Sequence, residues 1–310
     1  MRLIIDTDAG VDDAQAIMLA LRHPGVTVEA ITTVTGNVHL DKVVPNVLTV
    51  LDVMGATIPV YRGAAQPLMP NGLHAEEVHG GDGLGDWPDR PAPSARQPER
   101  EHAVDALLRL TRQYPGELTI VALAPLTNLA LAARLDPHFP LRVKEFIFMG
   151  GTIAGQGNAT NPTAEFNILG DPEAAYITLE SFPLATMLSW ETTLHHPLNW
   201  ERYDALAAIP TPEGRFFKGI SGRIVSLIRG MSGRLGYLLP DPLAMALALD
   251  RLLILEEERR HVTVALVGEH TRAQTVVDYR FRAQSTPNVD IVTRVDVNGF
   301  YQLLRHALGG

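Results

Sequence analysis

Four carboxylates fall within eight residues near the start of the chain: Asp6, Asp8, Asp12 and Asp13. Carboxylates this close repel one another when they are ionised and partly buried, so they need a cation or must take up protons. A set of oxygen ligands without sulfur suits a hard ion such as Ca²⁺ or Mg²⁺. The pattern therefore predicts a metal site or an acid–base site.

Helix capping is the alternative, because Asp is favoured at an N-cap and in the first helical turn. Capping accounts for Asp12 or Asp13 but not for Asp6 and Asp8, which precede the predicted helix. An EF-hand loop that begins at Asp6 needs Glu at its twelfth position, where this chain has Ile17. We therefore reject an EF-hand and favour a metal or acid–base site over capping.

A strand and a helix must position these carboxylates. The apolar run Leu3 to Ile5 predicts a buried strand, and Ala14 to Arg22 repeat apolar residues at helical spacing. Further predicted strands at Val26–Val34, Leu118–Leu123 and Val143–Met149 alternate with helical segments, which is typical of a parallel α/β sheet. Such sheets bind ligands at the carboxyl ends of their strands, which is where the acidic turn falls.

Polar residues follow other predicted elements as well. Asn37 comes just after the Val26–Val34 strand and is either a turn residue or a ligand-binding residue. Residues 62–98 are rich in Pro, Gly and Asp and lack periodicity, as a binding loop in a compact enzyme often does. His79 in this stretch can titrate near neutral pH, and a solvated surface loop is the alternative.

Two later positions carry candidate groups whose local context is ambiguous. Glu165 and Asn167 are two residues apart and would point the same way in an extended segment. Taken alone, that stretch is only a polar loop. Asp241 stands before Pro242, which predicts an Asp cap with Pro at the first helical position.

Composition bounds the class of protein. The chain has 310 residues with 46% hydrophobic residues, enough for one large α/β domain. Its net charge of −9, without a basic stripe, argues against nucleic acid as a partner. The absence of cysteine excludes disulfides and thiolate metal sites. Since no apolar run is long enough to span a membrane and no signal-peptide layout is present, we expect a cytoplasmic protein without a membrane partner.

Three patches of sequence resemble one known family. Asp-Thr-Asp-x-Gly-x-Asp-Asp-Ala at 6–14 resembles the signature of the inosine-uridine-preferring nucleoside hydrolases. Ala-Glu-Phe-Asn at 164–167, followed by Asp-Pro-Glu-Ala at 171–174, resembles the ribose-binding loop and next helix of that family. Asp-Pro-Leu-Ala at 241–244 resembles its C-terminal metal aspartate.

The resemblance implies a fold. It predicts a single domain over residues 1–310, with a mainly parallel, Rossmann-like central sheet flanked by helices. A flexible active-site loop is expected at about 70–90, and a mainly helical region that encloses the base at about 199–238, with Arg223 and Arg234 among its residues.

The resemblance also implies an activity, namely Ca²⁺-dependent hydrolysis of the N-glycosidic bond of ribonucleosides to free base and ribose. Asp8, Asp13, Asp241 and the main-chain carbonyl of Leu123 would hold Ca²⁺, and Asp8 would be the general base for a metal-bound water. Asp6 would orient the metal ligands. The expected substrate-binding residues are Asp12, Asn37, His79, Asn158, Glu165 and Asn167. A homodimer or homotetramer is the family's habit.

The chain departs from the family pattern in two places. Pro240 stands where many members have a histidine that acts on the leaving base, so the acid and the base preference are left open. The loop before Glu165 has one residue more than usual, which makes Asn158 the first candidate for the loop asparagine and Asn161 the second.

Two other classes stay open at this stage. Asp-x-Asp after a first strand also suggests a Mg²⁺-dependent haloacid-dehalogenase-like phosphatase with Asp6 as nucleophile. Those proteins usually continue with Gly-Thr, whereas this chain continues with Ala9-Gly10. The missing histidine also leaves room for a non-catalytic nucleoside-binding protein.

Overall fold

The computed structural model describes residues 1–70, 72–231, 236–280 and 285–310. The strands in these ranges are β1 (Arg2–Thr7), β2 (Thr27–Thr33), β3 (Val60–Arg62), β4 (Leu118–Ala122), β5 (Glu145–Met149), β6 (Ala185–Leu188), β7 (Leu198–Asn199), β8 (Gly236–Tyr237), β9 (Ile254–Arg260), β10 (Val262–Val264), β11 (Thr275–Val277) and β12 (Val289–Val295).

Eight of these strands form one sheet in the order β3-β2-β1-β4-β5-β6-β12-β9. Neighbouring strands run parallel, except that β9 pairs antiparallel with β12 at the edge. The order 3-2-1-4-5-6 is that of a Rossmann-type sheet, whose ligand crevice opens where the strand order reverses. The crevice is therefore expected above the carboxyl ends of β1 and β4.

Helices cover both faces of the sheet. The helices are α1 (Val11–Arg22), α2 (Leu40–Val53), α3 (Glu76–His79), α4 (Ala103–Gln113), α5 (Thr127–Leu135), α6 (Phe139–Arg142), α7 (Phe166–Gly170), α8 (Pro172–Ser181), α9 (Trp190–His195), α10 (Trp200–Ala207), α11 (Pro212–Gly230), α12 (Pro240–Leu249) and α13 (Val297–Ala307). Along β1, Leu3 and Ile5 join the core that contains α1, α2, α12 and α13. Ile4 points to the opposite core, which contains α4, α5 and α8, because successive strand side chains alternate between faces.

The predicted α/β class with a mainly parallel sheet is confirmed, and the differences are local. The first helix begins at Val11 rather than at Ala14. Strand β9 was not predicted, because Leu255 to Arg259 are exposed and mostly charged; charged edge strands are a common defence against edge-to-edge pairing. Within the described ranges, no helix combines the length and apolar character needed to cross a bilayer.

The two regions that the resemblance singled out have defined backbones where they are described. The loop at 70–90 contains the short helix α3, and the region at 199–238 contains α10 and α11, with β7 and β8 pairing at its ends. Arg223 of α11 donates to the carbonyl of Glu77 (3.1 Å) and to Asp86 Oδ2 (3.1 Å), so the helix and the loop are in contact. Arg234 lies outside the described residues.

Candidate active site

The acidic turn leaves β1 and enters α1 at the predicted crevice. The side chains of Asp8 and Asp13 are fully buried. Asp13 accepts hydrogen bonds from the Thr7 hydroxyl and from the Gly10 N–H (2.9 Å to Oδ2). Asp13 therefore also caps α1, so the capping interpretation describes part of its role. Ala9 has a φ of +41°, a strained conformation for a residue with a Cβ, of the kind that collects at functional sites.

Asn37 holds two of the carboxylates. Its main-chain N–H donates to Asp8 Oδ2 (2.6 Å), and its amide Nδ2 donates to Asp8 Oδ1 (3.0 Å) and Asp13 Oδ2 (3.1 Å). Gly36 permits this approach, since a Cβ there would lie 1.9 Å from Asp8 Oδ2. Asn37 is thus more than a turn residue, because its amide joins Asp8 to Asp13.

Asp241 reaches the same place although it follows Asp13 by 228 residues. It lies in the first turn of α12, which packs against α1, and is 3% exposed. Asp12, Asp13 and Asp241 each offer one carboxylate oxygen, and these three oxygens lie within 4.8 Å of one another. The three carboxylates therefore have the spacing of a group that could share one cation.

Burial and mutual repulsion both disfavour the ionised forms. Burial raises the pKa of Asp8 and of Asp241 well above the usual range, and nearby carboxylates raise both further. Burial also raises the pKa of Asp12 to about 6 and the pKa of Asp13. A bound cation would relieve this repulsion, so the donor set fits a hard metal ion.

Asp6 and its partners form the layer beneath the cluster. Asp6 is fully buried, and its Oδ1 accepts from the Thr32 hydroxyl (2.6 Å) and the Asn128 amide (2.8 Å). Its Oδ2 has no hydrogen-bond partner among the described atoms, and burial raises its pKa to about 7. Asn128 also donates to the Thr33 carbonyl (3.0 Å) and accepts from the Ala64 N–H (3.0 Å), so it joins β1, β2 and the segment after β3. Asn128 lies in the first turn of α5, whose N-cap is Leu126.

Leu123, Glu165 and Asn167 meet beside β4. The Leu123 carbonyl accepts from Asn167 Nδ2 (3.0 Å), and Glu165 accepts from the main-chain N–H of Gly151 (3.0 Å), Asn167 (2.9 Å) and Ile168 (3.2 Å). The expectation of an extended segment is wrong, because Glu165 is the N-cap of α7 and Asn167 lies within that helix. Burial raises the pKa of Glu165 to about 7 in spite of these donors.

The two loop asparagines have different surroundings. Asn158 is exposed, and its Oδ1 accepts from the Phe166 N–H (2.8 Å), which places it next to Glu165. Asn161 instead donates from Nδ2 to the Arg272 carbonyl (2.7 Å). Asn161 is thus engaged with the segment that precedes β11, whereas Asn158 lies against the start of α7.

His79 is buried at the end of α3 and does not behave as the sequence suggested. Its Nδ1 accepts from the Val11 N–H (3.1 Å), so the neutral ring carries its proton on Nε2. Burial lowers its pKa to about 4, and the expectation that it titrates near neutral pH is wrong. The 3.7 Å separation between Nδ1 and Asp12 Oδ1 is therefore a contact with a neutral ring and not an ion pair.

A doubly wound sheet with a buried acidic cluster at its switch point defines an α/β enzyme with a metal-type site. The family model described as inosine-uridine preferring nucleoside hydrolase matches residues 3–302. The pyrimidine-specific ribonucleoside hydrolase RihA of Citrobacter koseri is 36% identical over 308 residues, covering 99% of this chain and 97% of the relative. The inosine-uridine preferring nucleoside hydrolase of Crithidia fasciculata is 33% identical over 309 residues, with the same coverage.

Solved structures agree with the sequence relatives. An inosine-guanosine nucleoside hydrolase superposes with a TM-score of 0.92 at 33% identity, covering 99% of this chain and 98% of that one. The chain therefore belongs to the inosine-uridine preferring nucleoside hydrolase family, and its enzyme class is ribonucleoside hydrolase. The phosphatase alternative is not supported, since Asp6 is fully buried between β-strands and all three comparisons indicate a nucleoside hydrolase.

Proposed function

We propose that this enzyme hydrolyses the N-glycosidic bond of ribonucleosides with the help of one Ca²⁺, releasing free base and ribose. The observation that carries the proposal is the convergence of Asp8 and Asp13 with Asp241, which lies more than 200 residues later in the chain, at the switch point of the sheet. The three relatives are named for pyrimidine, inosine-uridine and inosine-guanosine substrates, so a ribonucleoside is the common substrate class.

The proposed metal ligands are Asp8, Asp13, Asp241 and the carbonyl of Leu123. Their chemistry fits, because all four offer oxygen and three are buried carboxylates that repel one another. Asp12 shares the 4.8 Å spacing with Asp13 and Asp241, whereas Asp8 is linked to Asp13 through the amide of Asn37. When bound, Ca²⁺ would supply positive charge that orients a water molecule and eases its deprotonation.

Asp8 is the proposed general base. Its two oxygens are fixed by the N–H and the amide of Asn37, so the carboxylate is held in one orientation as a proton acceptor. Cleavage of a sugar–nitrogen bond passes through an oxocarbenium-like state with positive charge near the anomeric carbon. The carboxylates fixed around that position would stabilise the developing charge without moving.

The sugar would be held by groups on both sides of the cluster. The proposed substrate-binding residues are Asp12, Asn37, His79, Asn158, Glu165 and Asn167. A ribose needs several donors and acceptors that converge, and these side chains offer carboxylate and amide oxygens, amide N–H groups and the Nε2–H of a neutral imidazole. Asp6 would keep the acidic turn in register through its bonds to Thr32 and Asn128.

The base would lie between the loop at 70–90 and the helical region at 199–238. We propose that this loop moves to admit substrate, and that the contacts of Arg223 with Glu77 and Asp86 hold it closed. Pro240 has no proton to donate, so we assign no acid to the leaving base. We also propose a homodimer or homotetramer, which analytical ultracentrifugation tests directly.

A free-ribose assay tests the proposal. The protein is incubated with inosine, uridine, cytidine and adenosine, first as purified, then after removal of metal with a chelator, and then after Ca²⁺ or Mg²⁺ is added back. We expect ribose from at least one nucleoside, loss of activity on chelation and recovery with Ca²⁺. Undiminished activity in metal-free protein would refute the metal role, and no ribose from any nucleoside would favour a non-catalytic binding protein.

A further inference from the structure

The turn between β5 and the proposed sugar loop depends on a carboxylate that lies outside the acidic cluster. Residues 150–165 have no regular secondary structure, so their main-chain N–H groups are not paired within a helix or a sheet. Three of them converge on Glu191 of α9. The Ile153 N–H donates to Oε2 (2.8 Å), and the N–H groups of Ala154 (2.9 Å) and Gln156 (3.1 Å) donate to Oε1.

Glu191 is itself held firmly. It is 5% exposed and lies in the first turn of α9, where the N-terminal end of the helix dipole favours a negative charge. The helix starts directly after β6 of the central sheet. Thr192, the next residue, donates from its hydroxyl to the Val292 carbonyl of β12 (2.6 Å). The carboxylate is therefore a fixed point attached to the sheet.

The turn that Glu191 holds, residues 151–157, has groups of the proposed sugar site at both ends. At its start, the Gly151 N–H donates to Glu165, and the Gly151 carbonyl accepts from the Trp190 N–H (3.0 Å), next to Glu191. At its end, Asn158 follows Gln156 by two residues and contacts the start of α7. A shift of the turn would therefore move a donor to Glu165 and displace Asn158.

We propose that Glu191 is a positioning residue for sugar binding: its carboxylate fixes the 151–157 turn and thereby sets the positions of Asn158 and Glu165. This inference rests on the proposed function of those two residues. A glutamine cannot replace the carboxylate, because its NH₂ group would face N–H donors where an acceptor is required. The loss leaves at least one partly buried main-chain N–H without its partner.

The test compares four variants of the full enzyme. Glu191→Gln removes one acceptor, Glu191→Asp keeps the charge on a shorter side chain, and Glu165→Gln perturbs the proposed sugar site directly. Glu180→Gln makes the same change at an exposed position at the end of α8 and is the matched control. For each variant, kcat and KM are measured with the best nucleoside, together with the affinity for free ribose and for Ca²⁺ by calorimetry.

We expect Glu191→Gln to raise KM and weaken ribose binding by about tenfold, the effect of losing one hydrogen bond to a charged group. Glu191→Asp should fall between this variant and the wild type. Calcium affinity should not change, because Glu191 has no contact with the acidic cluster in the described structure. Wild-type KM and ribose affinity in Glu191→Gln, or an equal loss of ribose and calcium binding, would overturn the proposal.

Amide hydrogen exchange supplies a readout that does not require the variant to be active. In the wild type, the N–H groups of residues 153, 154 and 156 should exchange more slowly than those of the exposed 268–271 turn. Equal rates would overturn the proposal even if Glu191→Gln fails to fold. The Glu165→Gln variant separates the proposed sugar site from the proposed role of Glu191. An unchanged KM in Glu165→Gln contradicts the sugar site itself. A raised KM in Glu165→Gln together with a wild-type KM in Glu191→Gln contradicts only the role of Glu191.

Discussion

Replacing Asp241 by Asn should abolish turnover and yet stabilise the metal-free protein. Asp241 lies within 4.8 Å of the ligand oxygens of Asp12 and Asp13. Its raised pKa arises from burial and from repulsion by other carboxylates. An amide has nearly the same shape as a carboxylate but no charge. The substitution therefore removes repulsion from the metal-free protein, and it removes a metal ligand from the calcium-bound protein.

The expected stabilisation of the metal-free protein can be worked out from the distance between the carboxylate oxygens. Two unit charges 4.8 Å apart repel by about 3.5 kcal/mol at an effective dielectric constant of about 20. Partial protonation of the cluster reduces this, so one such repulsion of about 3.5 kcal/mol is the most that we expect the substitution to relieve. A chain of 310 residues has an unfolding entropy near 0.65 kcal/mol/K, so the melting temperature should rise by at most about 5 °C. Calcium at 100 times its Kd should stabilise the wild type by about 2.7 kcal/mol, or about 4 °C.

The assay is thermal unfolding at pH 8 in a chelator and in Ca²⁺, combined with ribose release. Metal-free Asp241→Asn should melt above the metal-free wild type, should lack the calcium-induced shift and should release no ribose. Asp105→Asn changes an exposed carboxylate of α4, outside both regions proposed to enclose the base, and is the control. The reasoning is refuted if metal-free Asp241→Asn melts below the metal-free wild type, or if calcium still raises its melting temperature.

Two further predictions concern the neighbours of the cluster. Gly36→Ala should lower kcat/KM by at least ~100-fold, because the new Cβ would lie 1.9 Å from Asp8 Oδ2 and even a displacement of about 1 Å is this costly. Gly222→Ala is the control, because its new Cβ has no atom within 4 Å. Its activity should be unchanged, and its free energy of unfolding should rise by up to about 1 kcal/mol. Equal activity of the two variants would contradict the steric argument. Glu165 binds its proton more tightly in the folded state, where its pKa is about 7 against 4.5 in the unfolded chain. Its contribution to stability is therefore full below pH 4.5 and is lost by about pH 7, a fall of about 3 kcal/mol. Urea unfolding at pH 4.5 and 7.5 should show that the free energy of unfolding falls less with pH in Glu165→Gln than in the wild type. An identical fall in both proteins would refute the raised pKa of Glu165.

The sheet and the location of the site could be predicted because both depend on patterns within short stretches. Strands buried on both faces are continuous apolar runs, as in β1 and β4. Once the sheet is known to be parallel, every strand end lies at one edge, which places Asp8, Asn37 and Leu123 together without any knowledge of distances. Strand β9 was missed because its exposed, charged residues lack the apolar pattern.

The supporting residues could not be predicted, because their partners are main-chain groups or distant side chains. Nothing near Asn128 in the sequence indicates that its amide meets Asp6. Likewise, nothing near Glu191 indicates three N–H groups from 35 to 38 residues away. His79 illustrates the same limit for electrostatics: its residue type predicts titration near neutral pH, whereas burial and the Val11 N–H decide its state.

The partners of the acidic cluster explain how the site keeps its charge for a ligand. The hydrogen-bond donors to Asp6, Asp8 and Asp13 in the described structure are neutral: hydroxyls, amides and main-chain N–H groups. An Arg or Lys in their place would fix the carboxylates equally well, but it would also neutralise them. Neutral donors fix the oxygens without compensating their charge, so the ionised carboxylates repel one another until a cation binds. A cation and a positively charged sugar are the two species that such an arrangement stabilises, and both are required for hydrolysis of a nucleoside by the proposed route.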